Sequence, residues 1–251
     1  MKFPHLFEFM DFDWLPNTLR DTMREILECG NTKPFRLYYS WVADEALCFA
    51  HEGGLRTIVE LGAGSAPITR HMAEDPRSDG LSLVVCDFLP DRTAYEGLEK
   101  RYPGKVRARL DPVDFSLPQH WDPKTLLVLS GTFHHIPPEA RLSVLSSMVK
   151  SADHLLVFEP LRKTLVSTLF MFGSIVPALI LPLWFCSRPG RLRRFIWCWL
   201  LPIAPLLFWW DGLVTCMRLW SDEEWKLAIR QLSPPRQGAV RHSLFCQMVS
   251  I

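Results

Sequence analysis

From Arg56 onward, short apolar runs alternate with amphipathic stretches, the pattern of a parallel sheet covered on both faces. Residues Thr57 to Leu61, Leu81 to Cys86, Lys105 to Leu110, Thr125 to Leu129 and His154 to Phe158 are candidate strands one to five, rich in Val, Ile and Leu as strands buried on both sides require. Helices are predicted between them over Ile68 to Ala73, Arg92 to Arg101 and Pro138 to Lys150. The third strand is followed by an irregular connection containing Asp114, Pro118 and Pro123. Near the end, Ser221-Asp222-Glu223-Glu224 is a capping box that opens a helix through Gln231, and Pro234-Pro235 stops it. Gly238 to Ser243 and Leu244 to Ile251 then read as an antiparallel strand pair. The first residues hold aromatic side chains (Phe3, Phe7, Phe9, Phe12, Trp14) and one predicted helix, Thr18 to Cys29, which together read as a helical cap.

One stretch departs from this alternation. Between Lys163 and Arg188 lie 24 residues without a charge, and between Arg194 and Asp211 lie 16 more. The expected architecture is therefore a doubly wound, mostly parallel seven-stranded α/β sheet with an antiparallel carboxyl-terminal strand pair. An apolar helical hairpin is inserted after strand five. The segments are 1–55 (cap), 56–162 (core), 163–220 (insertion) and 221–251 (closing helix and strand pair).

Composition sharpens the division. The 251 residues carry a formal charge of +1 with 48% hydrophobic residues, but Lys163, Arg188, Arg191, Arg193 and Arg194 put +5 into residues 163–210, leaving −4 for the remainder. No basic stripe runs along that remainder, so nucleic acid is not an expected partner. Seven cysteines, with no Cys-x-x-Cys pair and no zinc spacing, point to free thiols in a reducing compartment. Glu8, Asp11 and Asp13 follow the amino terminus before any apolar run develops, unlike an export signal.

Candidate chemistry centres on Glu60-Leu61-Gly62-Ala63-Gly64-Ser65-Ala66-Pro67, where strand one turns into a helix. Glycines there let backbone amides approach a ligand closely. Asp87 ends strand two, 25 residues after Gly62, beside that turn, where an acid can accept ribose hydroxyls. With this acid-Leu-Gly-x-Gly loop and the acid of strand two, the chain resembles the class I S-adenosylmethionine-dependent methyltransferases over Arg56 to Pro160. Asp114-Phe115 and Leu129-Ser130-Gly131-Thr132-Phe133-His134-His135 match that family's later motifs. Pro67 and the apolar insertion in place of the usual fifth helix depart from it.

The resemblance implies S-adenosylmethionine as cofactor. Glu60 would orient the methionine ammonium, Gly62, Ala63 and Gly64 would give backbone room, Asp87 followed by Phe88 would hold the ribose, and Asp114 with Phe115 would meet the adenine. Ser130 would border the methyl group. For Glu60 a helix-dipole contact, and for Asp87 a solvated strand end, are the competing structural roles. A nicotinamide dinucleotide is the rival ligand, but Pro67 and Ile68 stand where its third glycine is needed, and no Tyr-x-x-x-Lys dyad is present.

Methyl transfer demands alignment of donor and acceptor and, for a hydroxyl acceptor, removal of a proton. His135 and His134, just past strand four, and Glu159, ending strand five, are the candidate catalytic groups. Helix capping or backbone bonding is the competing role for the histidines. The Asn/Asp-Pro-Pro-aromatic motif of amino-directed methyltransferases is absent and no metal site is expected, which leaves an oxygen or activated carbon of a small molecule. A binding or scaffold protein with a degenerate form of the same fold is the alternative reading.

The first charge-free run is long enough to span a bilayer and the second is marginal. Double spanning would set four arginines on the far face, against the positive-inside tendency. Pro177, Pro182, Pro202 and Pro205 interrupt the runs, and Trp184, Trp197, Trp199, Trp209 and Trp210 cluster near their ends. A monotopic helix pair in the cytosolic leaflet is the expectation, its arginines reaching anionic lipid. The insertion is read as a lid through which a lipophilic small molecule or lipid reaches the site. Phe133, Trp210, Asp211 and Arg218 are its candidate substrate contacts, with internal ion pairs as the competing role for Asp211 and Arg218.

Overall fold

The computed structural model describes residues 6–12, 14–29, 37–184, 190–233, 235–243 and 246–251. Phe3, Asp13, Cys186, the Ser187–Pro189 part of the basic turn, Pro234, and the first two residues of the last predicted strand, Leu244 and Phe245, lie outside them. The chain divides into two compact units. One is formed by Tyr39–Pro160 and Trp220–Ile251, the other by Met1–Tyr38 and Leu161–Leu219.

The first of these, the sheet unit, holds seven strands: β1 (Thr57–Leu61), β2 (Ser82–Cys86), β3 (Val106–Ala108), β4 (Thr125–Ser130), β5 (His154–Glu159), β6 (Ala239–Ser243) and β7 (Cys246–Ser250). Their order across the sheet is β3-β2-β1-β4-β5-β7-β6. The first five are parallel, and β7 pairs antiparallel with both β5 and β6. Every residue of β1 is buried, Thr57 and Glu60 included, which explains its mostly apolar character. On one face Val59, Leu61, Leu127, Leu129 and Val157 form a core with Val144, Leu145 and Met148 of helix α5 (Arg141–Ser151) and Trp225 and Ile229 of helix α10 (Asp222–Arg230). The capping box of α10 is formed as read: Ser221 Oγ accepts the Glu224 amide and Glu224 returns to the Ser221 amide.

Helix α3 (Pro67–Glu74) follows β1 and helix α4 (Arg92–Arg101) follows β2. Helix α5 starts three residues later than predicted, because Pro137 and Pro138 form a turn in which the Pro137 carbonyl accepts the Ala140 and Arg141 amides. A helix that the sequence reading omitted, α2 (Leu37–Glu52), belongs almost wholly to the sheet unit. Its buried stripe is Val42, Ala43, Ala46, Leu47 and Ala50, and Trp41 meets Phe158 of β5 edge-on at 5.3 Å. Alanines make that stripe apolar but inconspicuous.

The second, helical unit contains α1 (Asn17–Cys29), α6 (Leu165–Gly173), α7 (Ile175–Trp184), α8 (Arg191–Phe195) running into a π-helical turn (Ile196–Leu200), and α9 (Ile203–Arg218). The expected helix pair is thus four helices: α6 and α7 bend by 51° at Ser174, and α8 with its π turn meets α9 at 73°. Among the described residues, no single helix is long and apolar enough to cross a membrane. Leu15, Leu19, Met23 and Ile26 of the amino-terminal segment pack with Ala178, Cys198 and Ala204 in this unit's core.

Candidate active site

The carboxyl edge of the sheet unit gathers the loop after β1, the end of β2 and the turn after β4. Gly62 has φ +65° and Gly64 φ +55°, backbone that glycine adopts without strain. A Cβ on Gly62 would stand 2.7 Å from Thr132 Cγ2 and 2.8 Å from Thr132 Oγ1, so the loop and the β4 turn are in close contact there. A Cβ on Gly64 would meet nothing within 4 Å, which marks open space beside the loop. Ala63 is buried and its amide bonds to the Cys86 carbonyl, tying the loop to β2. Ala66 is the loop's left-handed non-glycine residue, at φ +55°, and Pro67 opens α3, where its missing N–H costs no helix bond.

Asp87 is half-buried at the end of β2. Its Oδ2 accepts the Gly64 amide at 2.8 Å and its Oδ1 the Leu89 amide at 2.8 Å. The carboxylate therefore fixes the very loop it was expected to adjoin. Phe88 beside it is exposed. The Asp87 carbonyl accepts the Val113 amide, which brings Asp114 to this edge. Asp114 Oδ1 is occupied by the Ser116 amide and hydroxyl in a local turn, and Phe115 packs against the core. Ser130, at the end of β4, accepts the Thr132 hydroxyl on its carbonyl.

Glu60 is 2% exposed and directed at α3, where its Oε2 accepts the Thr69 amide and hydroxyl. Burial pushes its carboxyl up to about 7, against the lowering effect of the Thr69 hydrogen bonds, and the Asp87 charge adds a smaller upward push. Thr69 carried no sequence signal of this role beyond lying nine positions after Glu60.

His134 and Glu159 form a buried pair. His134 Nδ1 lies 2.8 Å from Glu159 Oε2, and the His134 amide donates to Glu159 Oε1 at 3.2 Å. The carboxylate thus holds both the ring and the backbone of one residue. Arg141, also buried, donates to the carbonyls of His134 and Ile136 and so fixes the turn from the other side. The sequence reading missed Arg141, although an arginine on the apolar face of a predicted helix was the available clue. The His135 ring is 4.3 Å from that of His134 and less buried.

Phe133, expected to border the acceptor, is instead a core residue, 2% exposed and packed on Trp220 and Trp225 at 5.1 and 4.8 Å. The three other candidate substrate contacts lie in the helical unit and bind its amino-terminal segment. Asp211 accepts the amides of Phe9 and Met10, Arg218 pairs with Glu8 and Asp11, and the Trp210 indole donates to the Phe7 carbonyl. Burial pushes the Asp211 carboxyl up to about 7 despite those two amides. The internal ion pair accounts for Arg218 without a head group.

No family model and no curated protein matches the chain. Among solved structures, the plantazolicin methyltransferase BpumL with a pentazolic desmethylPZN analog and SAH superposes with a TM-score of 0.55 at 8% identity, over 93% of this chain and 97% of that one. The same enzyme with SAH alone gives 0.54 at 9%, over 93% and 97%. An O-methyltransferase family protein from Burkholderia thailandensis gives 0.50 at 10%, over 93% of this chain and 56% of that one. The fold is that of these methyltransferases, with the seven-stranded, mostly parallel sheet and antiparallel closing pair expected from the sequence.

Proposed function

We propose that the protein transfers a methyl group from S-adenosylmethionine to an oxygen, or an activated carbon, of a lipophilic small molecule or lipid at the cytosolic face of a membrane. The observation that carries this reading is the convergence, at one sheet edge, of the Gly62–Gly64 loop, the Asp87 carboxylate and the His134–Glu159 pair. The open space beside Gly64 and the half-buried carboxylate next to it suit a ribose and a sulfonium amino acid. S-adenosylmethionine, when bound there, would supply an activated methyl on sulfur. SAH in the solved structures of BpumL supports the same donor here, since SAH is what that donor becomes on losing its methyl.

Gly62 and Gly64 would offer the donor backbone room, Asp87 would accept its ribose hydroxyls while holding the loop, and Asp114 would meet its adenine. Glu60 ties β1 to the start of α3 through Thr69. Were Nδ1–H donated to Glu159, a neutral His134 ring would carry its basic lone pair on Nε2. That tautomer is the one needed to accept a hydroxyl proton as the acceptor oxygen attacks the methyl carbon. Glu159 then offsets the charge of the imidazolium. The charge-free run that follows β5 supports a lipophilic acceptor.

Titration calorimetry of the folded protein with S-adenosylmethionine tests the cofactor, and absence of heat would overturn the reading. Mass spectrometry of membrane lipid extracts incubated with protein and isotope-labelled donor tests the acceptor. A labelled lipophilic product is expected; label confined to water-soluble products would overturn the acceptor class.

A further inference from the structure

The helical unit leaves large apolar side chains in solvent on successive segments: Leu165 is 73% exposed, Leu169 60% and Phe172 51% on α6, Trp184 62% on α7, and Trp199 50% and Leu200 65% on the π turn. Isolated apolar side chains at a surface are ordinary, but this density on mutually packed helices is not. We propose that the helical unit docks on a lipid bilayer by inserting these side chains into the interface, and that docking does not require anionic lipid. The inference concerns a partner surface and stands whether or not methyl transfer is the activity.

Two observations point to lipid as the occupant. First, among the described residues several polar side chains of the charge-free runs close their hydrogen bonds within those runs. Thr164 Oγ1 caps the Ser167 amide, Thr168 donates to the Thr164 carbonyl, and Ser174, at the bend between α6 and α7, returns its hydroxyl to the Met171 carbonyl. The Trp199 indole N–H, on a half-exposed ring, donates to the Leu179 carbonyl. Segments that contact hydrocarbon must close their hydrogen bonds internally, a constraint that a watery face does not share. Second, both apolar helix pairs are sharply bent and, among the described residues, no single helix is long and apolar enough to cross, so an in-plane or re-entrant seat fits them.

The independence from lipid charge follows from the arginines. The sequence reading had them reach anionic head groups, but Arg193 pairs with Asp21 and Glu25, and Arg194, 3% exposed, pairs with Glu25. Those cations are neutralised within the unit. Among the described residues of the turn, Arg191 stays exposed.

Flotation of the full-length protein, without donor or acceptor, with vesicles of phosphatidylcholine alone and of equal parts phosphatidylcholine and phosphatidylserine tests this. Flotation with both is expected, with partition coefficients within about threefold of each other. A Leu165→Glu/Leu169→Glu variant, with circular dichroism unchanged, is expected to lose about tenfold or more in partitioning. Should that variant not fold, quenching of wild-type tryptophan emission by brominated phosphatidylcholine gives the same decision, because Trp184 and Trp199 would enter the bilayer. Protein left at the bottom with both vesicles, or unquenched, overturns docking. Flotation only with phosphatidylserine overturns the charge independence. Self-association abolished by the double substitution, without vesicle binding, would assign the face to a second copy of the chain instead.

Discussion

Glu159 holds His134 twice, by its backbone amide and by its ring nitrogen, so one carboxylate at the end of β5 orients a side chain beyond the end of β4. Glu159→Gln preserves the size of the group but removes its charge. We expect kcat to fall about tenfold to a hundredfold with the affinity for S-adenosylmethionine unchanged, and His134→Ala to fall by about 10²-fold or more. His135→Ala should cost less than His134→Ala. Steady-state kinetics beside calorimetry makes the comparison, and a Glu159→Gln enzyme with wild-type kcat would remove the positioning role.

Asp87 serves the loop and the cofactor at once. Asp87→Ala frees the Gly64 and Leu89 amides and removes the ribose acceptor, so affinity for S-adenosylmethionine should drop by about a hundredfold, whereas Asp87→Asn should lose less. Calorimetric titration of both variants decides it. Equal affinity in Asp87→Ala would restrict Asp87 to a structural role at the strand end.

The stability of the protein should carry the titration of Glu60. Its folded-state pKa of about 7 lies above the ordinary 4.5, so between those values the folded chain holds a proton that the unfolded chain has released. Stability therefore falls as pH rises from about 4.5 to about 7, and this contribution is constant above that. In Glu60→Gln, whose amide oxygen still accepts from Thr69, the decline across that window should shrink. Urea denaturation at a series of pH values measures it; an unchanged slope would mean that Glu60 titrates normally.

How much of this was legible depended on how locally each feature is encoded. The strands were readable because burial on both faces leaves β1, β4 and β5 mostly Val, Ile, Leu and Phe, and the α10 capping box because Ser221 and Glu224 are three residues apart. Helix α2 escaped because three of its buried positions are alanine, which carries little apolar contrast. The choice between His134 and His135 turns on a carboxylate 25 residues later, and the neutralised arginines on acids about 170 residues earlier. Neither pairing leaves a periodic trace. The bend at Ser174 was equally hidden: Pro177 and Pro182 mark interruptions of the run, but the break falls at Ser174, whose hydroxyl returns to the Met171 carbonyl.

Gly62 should tolerate no side chain. Gly62→Ala places a Cβ against Thr132 and imposes φ +65° on an L-residue, costs that together reach about 1–3 kcal/mol. Adding Thr132→Ala removes the Cγ2 and Oγ1 contacts and leaves the Thr132 Cβ at 3.3 Å, so it should restore the steric part and not the backbone part. Chemical denaturation of the single and double variants separates the two, and a double variant no better than Gly62→Ala would place the whole cost in the backbone.

Glu25 is the most exacting residue of the helical unit to replace. It is 2% exposed on α1 and faces Arg193 at 2.5 Å and Arg194 at 3.4 Å, the latter also buried. Removing one partner of a buried pair strands the other charge in a poorly solvated site, at about 3–5 kcal/mol. Glu25→Ala should therefore destabilise the protein by that order. Arg193 also has Asp21 and is more exposed, so Arg193→Met should cost less than Arg194→Ala. Replacing Glu25 and Arg194 together by Leu and Met removes the charge with its partner and should recover much of the loss, leaving Arg193 to Asp21. If the double substitution is as unstable as Glu25→Ala, the energy lies in packing rather than in the ion pair, and the basis for treating these arginines as neutralised within the unit falls with it.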